Sequence, residues 1–423
     1  MKKCLLMTLL GLSTSLYAAH PHQGWLVKFK NQNMRHDFLS NKKFSAAKVV
    51  DVSWGSYAVV EDLDKKGLSL LQNDGAVEYV EPNLVFSLDP NEQLSGDDAN
   101  QDASFSQQWG LKNTGLNSGS LFSMGVKGED INALEAWKTS RGDRQVTVAV
   151  IDTGIDYNHS DLKSNMSANE AELNGTAGVD DDGNGYVDDV WGYDFANKDG
   201  DPMDGHGHGT HCAGVIGALH NRAGVMGVMG QVKIVAIKFL SDKGSGTLAD
   251  AILAIDYGIK RGVNVMSNSW GGGGFTQSLK EAIERANDAG IVFVAAAGND
   301  RSNNDQNASY PASYDVANVI SVGAMNGKGQ RASFSNYGAK TVHVFAPGEN
   351  ILSTVAGNGY KKMSGTSMAT PFVSGAVGLL LARSPNLAPS DVRTKVLATA
   401  KKNGKLGGQC VSEGRLDAAA LIR

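Results

Sequence analysis

Apolar residues follow two regimes along the chain. From residue 105 onward, short and nearly continuous apolar runs recur at 146–151, 232–239, 263–266, 291–296, 319–322 and 342–345. A run that is apolar at almost every position, not every second one, is the pattern of a strand covered on both faces of a parallel sheet. Between and after these runs lie segments with helical apolar spacing, at 208–219, 248–260, 277–289, 367–382 and 389–399. Alternation at this interval predicts an α/β fold: a doubly wound, mostly parallel sheet with helices on both faces. In such sheets the binding crevice lies beyond the carboxyl ends of the strands. Asp152, Ser269 and Asn299 each fall there, just after a strand run.

The N-terminal part reads differently. Residues 25–29 alternate like a strand, 56–60 read as another, 63–73 have helical spacing, and 76–83 read as a strand ended by Pro82. Residues 20–88 are thus expected to form a small α+β unit, with little room for a core of its own. Residues 89–104 are polar and acidic, which is linker composition. Ahead of the unit, Lys2 and Lys3 precede an apolar run at 5–16, and Ala18 and Ala19 follow it. Residues 1–19 therefore read as a secretory signal, too short to span a bilayer, and Cys4 is expected to leave with it. Export follows, to the medium or to a periplasm if there is an outer membrane.

Composition adds limits. Hydrophobic content is 41%, charged content 20% and net charge -5, so a globular chain is expected and nothing favours nucleic acid. Beyond residue 20 no apolar stretch reaches the roughly 18 residues of a membrane span. The 51 glycines cluster in short motifs, as tight turns require. Cys212 and Cys410 could pair, but a core of this size does not need the staple, and both are read as free thiols.

The candidate chemistry centres on Ser367, in Gly365-Thr366-Ser367-Met368-Ala369 at the start of a predicted helix. A serine there can cap the helix or present a nucleophile where free N–H groups favour negative charge. Upstream, Asp152 ends a strand run and His208 opens His208-Gly209-Thr210-His211, giving the order Asp…His…Ser, one of those in which serine triads occur. His206 and His211 are rival bases. Asn299 reads as a turn residue or as an amide donor at the strand end. Ser269-Trp270-Gly271 is a glycine-rich turn or an edge to which a peptide could add as a strand. Five carboxylates crowd residues 180–189, a repulsive arrangement unless solvated or neutralised by a cation, and oxygen ligands suit Ca²⁺. Asp180, Asp182, Asn184 and Gly185 match the start of an EF-hand loop, but Trp191 stands where its final glutamate belongs. Tyr186 would offer a carbonyl, and the choice between Asp188 and Asp189 stays open.

The blocks around Asp152, His208 and Ser367 resemble, in the right order over residues 105–422, the three signatures of the subtilisin-like serine proteases. The resemblance implies a secreted serine endopeptidase acting on proteins or peptides. Ser367 would be its nucleophile, His208 its base, Asp152 the partner of His208, and Asn299 the oxyanion donor. Ser269, Trp270, Gly271, Ala297 and Gly298 would wall the substrate pocket. Residues 20–88 resemble the family's inhibitory propeptide, which implies an intramolecular inhibitor and chaperone and a precursor that cuts itself between Ser87 and Asp102, after Leu88 or Leu94. A structural calcium site is implied at Asp161, Asn221, the carbonyls of Leu219, Ala223 and Val225, and Asp102. A monomer is expected. The alternative weighed against this is an inactive family member that binds peptides; filled catalytic positions argue against it. An esterase would need its serine before its histidine.

Overall fold

The computed structural model describes residues 20–40, 49–52, 56–89, 94–95, 104–118 and 124–423. The expected signal at 1–19, Asp102, and all of the expected linker except Asp89, 94–95 and Ser104 lie outside them. The N-terminal unit holds β1 (His22–Phe29), β2 (Val49–Val52), β3 (Tyr57–Val60) and β4 (Val77–Ser87), with helices Gln32–Ser40 and Lys65–Gln72. Its strands pair antiparallel in the order β2-β3-β1-β4. Val27, Phe29, Ala58, Val60, Leu71 and Val77 make its small core.

One expectation fails here: β4 does not end at Pro82 but runs on to Ser87. Pro82 lies opposite Trp25, next to a break in register between His22 and Trp25, where a missing N–H costs least. Beyond it Asn83 Nδ2 donates to the Gln23 carbonyl, and Val85 to Ser87 find a partner elsewhere in the chain. A further short strand, β5 (Leu94–Ser95), follows.

The larger body is built on β6 (Gly142–Asp152), β7 (Gly192–Asp194), β8 (Gln231–Lys238), β9 (Ser245–Thr247), β10 (Val265–Asn268), β11 (Val292–Ala296), β12 (Val319–Met325) and β13 (Val344–Pro347). The hairpin β14 (Ile351–Val355) and β15 (Gly359–Met363) and the short β16 (Lys401–Lys402) and β17 (Gly414–Arg415) complete it. Nine strands form one sheet, in the order β16-β17-β13-β12-β11-β10-β6-β8-β7, parallel except for β16 against β17. The doubly wound sheet expected from the alternation is thus present.

Both faces are covered, and β6 shows why its run reads as continuous. Val146, Val148 and Val150 point into a core shared with the His208–Gly217 and Thr366–Arg383 helices. Ala149 and Ile151 point into the opposite core, with the Leu248–Lys260 and Gln277–Asp288 helices. After β8 the chain crosses to the other side of β6 to make β10, so the winding reverses between these two strands. That switch point is where α/β sheets open a crevice.

Candidate active site

Asp152 and His208 meet beyond the carboxyl end of β6, and Ser367 stands beyond that of the neighbouring β10. Asp152 is the last residue of β6, and His208 is the first of its helix. His208 Nδ1 lies 2.7 Å from Asp152 Oδ1, with both side chains buried. The same carboxylate oxygen accepts the Thr153 N–H at 2.7 Å. A buried carboxylate at this distance fixes the ring and favours the tautomer with its proton on Nδ1. His211 is not equivalent. Burial pushes its imidazole down to about 3, and its Nε2 lies 2.9 Å from the Ile351 carbonyl. The His206 side chain is exposed on the loop before the helix.

Ser367 sits one residue inside its helix, whose N-cap is Gly365, so it is not the cap. Its hydroxyl donates to the Ser269 carbonyl at 3.0 Å, while Ser269 Oγ donates to the Ser367 carbonyl at 2.9 Å. This reciprocal pair locks the helix start onto the end of β10. Asn299 Oδ1 accepts the Thr366 N–H at 2.8 Å and the Thr366 hydroxyl at 3.0 Å. Anchored through its oxygen, the amide has Nδ2 as its donor end.

A cleft of about 370 Å³ is lined by Ser367, Thr366, Asn299 and Ser269. Ser269, Trp270, Gly271 and Gly298 line it as expected, but Ala297 does not. Ala297 is buried in the core, and its carbonyl takes the amides of Asn304 and Asn336; its neighbour Ala296 lines the cleft instead. Sequence reasoning also missed Asp300 and Ser309 on the rim and floor. Trp270 is buried, edge-on to Phe239 at 4.8 Å and to Phe86 at 5.1 Å.

Phe86 belongs to the N-terminal unit, which enters the same cleft. Val85, Phe86 and Ser87 pair antiparallel with Thr247, Gly246 and Ser245 of β9, and the Leu88 N–H donates to the Gly244 carbonyl at 2.8 Å. Ser87, Leu88 and Asp89 line the cleft with Ser367. The edge that receives this strand is β9, which the sequence reading did not single out. β5 pairs with β15, Leu94 opposite Met363, four residues ahead of Ser367.

The candidate cation residues divide. Asp161, Leu219, Asn221, Ala223 and Val225 come together: Asp161 accepts from Asn221 Nδ2 at 2.8 Å and the Val225 N–H at 2.9 Å, and its backbone carbonyl accepts the Leu219 N–H. Asn221 Oδ1 accepts the Ala223 N–H. Burial raises the Asp161 carboxyl above its usual range. In the acidic loop, Asp180 and Asp182 group with Glu172, carboxylate oxygens within 4.8 Å of one another. Asn184 caps this group, donating to Asp180 and Asp182. Glu172 was missed because it stands eight residues ahead of the motif. Asp188 turns away to accept the Gly178 N–H, and Tyr186 stacks among Tyr193, Phe195 and Tyr257. Asp189 is buried, held by Tyr257 at 2.5 Å and Asn169 at 2.7 Å. Cys212 and Cys410 are both buried and are not bonded to each other.

The family comparisons agree with this geometry. The Peptidase_S8 model, described as Subtilase family, matches residues 143–413. Subtilisin DY of Bacillus licheniformis is 40% identical over 260 residues, covering 61% of this chain and 85% of that protein. The thermophilic serine proteinase of Bacillus sp. (strain AK1) is 37% identical over 335 residues, 78% of this chain and 69% of its own. Subtilisin-like protease 1 of Plasmodium berghei is 38% identical over 263 residues, 58% of this chain and 44% of its own. Among the described residues, no helix is long and apolar enough to cross a membrane. With a family match over most of its length and relatives at this identity, the chain belongs to the subtilase family and is a serine-type endopeptidase.

Proposed function

We propose that Asp152, His208 and Ser367 form the triad of this endopeptidase, with Asn299 as oxyanion donor. What supports it is the 2.7 Å contact between buried Asp152 and His208 at the end of β6, beside the end of β10 where Ser269 holds Ser367. A serine hydroxyl attacks poorly until a base takes its proton. With Nδ1 engaged by Asp152, His208 offers Nε2 for that work and later returns the proton to the leaving amine. Asp152 stabilises the imidazolium formed between the two steps. The oxygen that gains charge as Ser367 attacks is met by the Ser367 N–H and Asn299 Nδ2. A substrate lies as an added strand against β9, its side chains reaching the walls made by Ser269, Trp270, Gly271, Ala296 and Gly298.

The protein is made, in this reading, as an exported precursor whose residues 20–88 inhibit the body until cut. What supports this is the path of β4, which brings Leu88 and Asp89 into the cleft, and the return of the chain at Leu94. Within the span from Ser87 to Asp102, this favours a cut after Leu88 or after Leu94. Calcium serves structure. The all-oxygen donor set at Asp161, Asn221, Leu219, Ala223 and Val225 fits it, around a buried carboxylate to which no Lys or Arg is ion-paired among the described residues. Glu172, Asp180, Asp182 and Asn184 would hold a second ion; when bound, either supplies charge neutralisation and no chemistry at the scissile bond.

The test is Ser367→Ala in the purified precursor. It is expected to remain uncut, with casein hydrolysis down by about 10⁴-fold or more. A Ser367→Ala protein that matures alone in vitro overturns the self-processing reading. One that also digests casein overturns the triad.

A further inference from the structure

We propose that Asp204 and Thr153 are positioning residues that fix the Asp152–His208 pair in register, an inference that rests on the triad reading above. The His208 helix lacks a capping side chain of its own, because its N-cap is Gly207, with φ +98°. Its first N–H groups are satisfied from outside. Asp204 is buried, 3% exposed. Its Oδ1 accepts the N–H groups of His206 at 2.9 Å and Gly207 at 2.8 Å, and the Thr153 hydroxyl at 2.9 Å. Its Oδ2 accepts the Thr210 N–H at 2.9 Å and the Thr210 hydroxyl at 2.6 Å. Thr153 Oγ1 in turn accepts the Gly209 N–H at 2.9 Å.

These bonds close a ring. Thr153 is bonded to Asp152 in sequence, and its N–H shares Asp152 Oδ1 with His208. Its carbonyl is gripped by buried Lys238 Nζ at 2.7 Å. Thr153 and the first turn of the His208 helix are therefore both held by Asp204, and the carboxylate–imidazole distance is set between two elements with one common anchor. Every neighbour of the Asp204 carboxylate is a donor, and a carboxylate is acceptor only. An amide in its place turns an N–H toward donors whichever way it flips, and the ring opens.

The experiment uses mature enzyme, with active sites titrated to end point by a fluorophosphonate and turnover measured on a peptide anilide. Asp204→Asn and Thr153→Val are each expected to lower kcat per titrated site roughly 10–100-fold, as slack of an ångström or less at reacting groups does. KM should stay within about twofold, because no substrate contact is lost. Thr153→Ser, which keeps the hydroxyl, should restore kcat to within about threefold of the parent. Unchanged kcat per site in Asp204→Asn and Thr153→Val, or a Thr153→Ser enzyme as slow as Thr153→Val, overturns the proposal. If Asp204→Asn does not mature, the Thr153→Val and Thr153→Ser comparison decides alone. A His208→Ala enzyme run alongside separates the two readings: normal turnover there would remove the triad itself, whereas a dead His208→Ala beside a normal Asp204→Asn removes only the positioning role.

Discussion

The N-terminal unit and the α/β body bury apolar surface in different ways. The body closes two cores on the faces of one sheet, chiefly from its own strands and helices. Among the described residues, the unit has six buried apolar side chains between its sheet and helices, and its other face packs on the body. Leu26, Tyr57, Val59, Leu84 and Phe86 join the body's core beside the Leu248–Lys260 and Gln277–Asp288 helices. The unit's polar groups follow the same rule. Glu81 takes the Gln277 and Ser278 N–H groups at the start of one of these helices, and Asn83 takes the Ala249 N–H at the start of the other. Lys28 and Tyr57 both bond Glu281. A segment whose core and hydrogen bonds are completed by its partner holds firmly while attached and has little to keep it folded once released.

The sharpest way to break this comparison is at Phe86. Its ring is buried against Trp270, and a Cβ added at Gly273 would lie 2.5 Å from it. Phe86→Ala in the separately produced unit should weaken binding to the Ser367→Ala body at least about 30-fold by calorimetry, the range of a buried aromatic anchor. Gly273→Val on the body should weaken the parent unit similarly, yet add little to Phe86→Ala, since both remove one contact. Additive losses would mean that the two residues do not meet.

A middle-sized effect concerns the body alone. If calcium holds the Asp161 loop and the Glu172 group, EGTA should lower the body's melting temperature by several degrees, as a ligand in hundredfold excess contributes about 2.7 kcal/mol. Glu172→Gln should remove part of that shift and Asp189→Asn less of it, because Asp189 reaches the group only through Asn184 and Asn169 and is otherwise held by Tyr257. Melting curves unchanged by chelation would take calcium out of the account.

How much of this was legible in the chain follows the same division. In the body, apolar runs carry their own period, and the helices at Leu248–Lys260 and Pro389–Thr399 fall where the spacing predicted. Asp152, His208, Ser367 and Asn299 were legible because each sits in a short block at a strand end or helix start. What failed depended on partners distant in sequence. β4 passes through Pro82 because β9, over 150 residues on, takes up its far end. Ala296 replaces Ala297 on the cleft wall because Asn304 and Asn336 pull the Ala297 carbonyl inward. Glu172 joins the acidic loop only once the backbone has folded, and the β14–β15 hairpin has too few apolar residues to stand out by period.

The smallest expected effect is also the most specific to the contact between the two regions: opposite pH responses from two glutamates. Burial raises the Glu81 carboxyl above its usual range, outweighing the bonds from Ser278 and Gln277. Burial also works to raise Glu281, but bonds from Lys28, Tyr57 and Gln277 outweigh it and hold that carboxyl below its usual range. A raised value means that docking gains from Glu81 are full below the free carboxyl's range and fade as pH rises through the docked value. A lowered value means the reverse for Glu281, whose contribution is present above the free range, about 4.3, and fades as pH falls through its docked value. In the parent the two oppose. Glu281→Gln should leave docking that tightens as pH falls toward the free carboxyl's range, and Glu81→Gln docking that weakens only as pH drops below that range, about 4.3. Titration of unit against Ser367→Ala body across this range measures both. Parallel curves for parent and variants would place the pH response on other groups, and the unit would then be held by its apolar face alone.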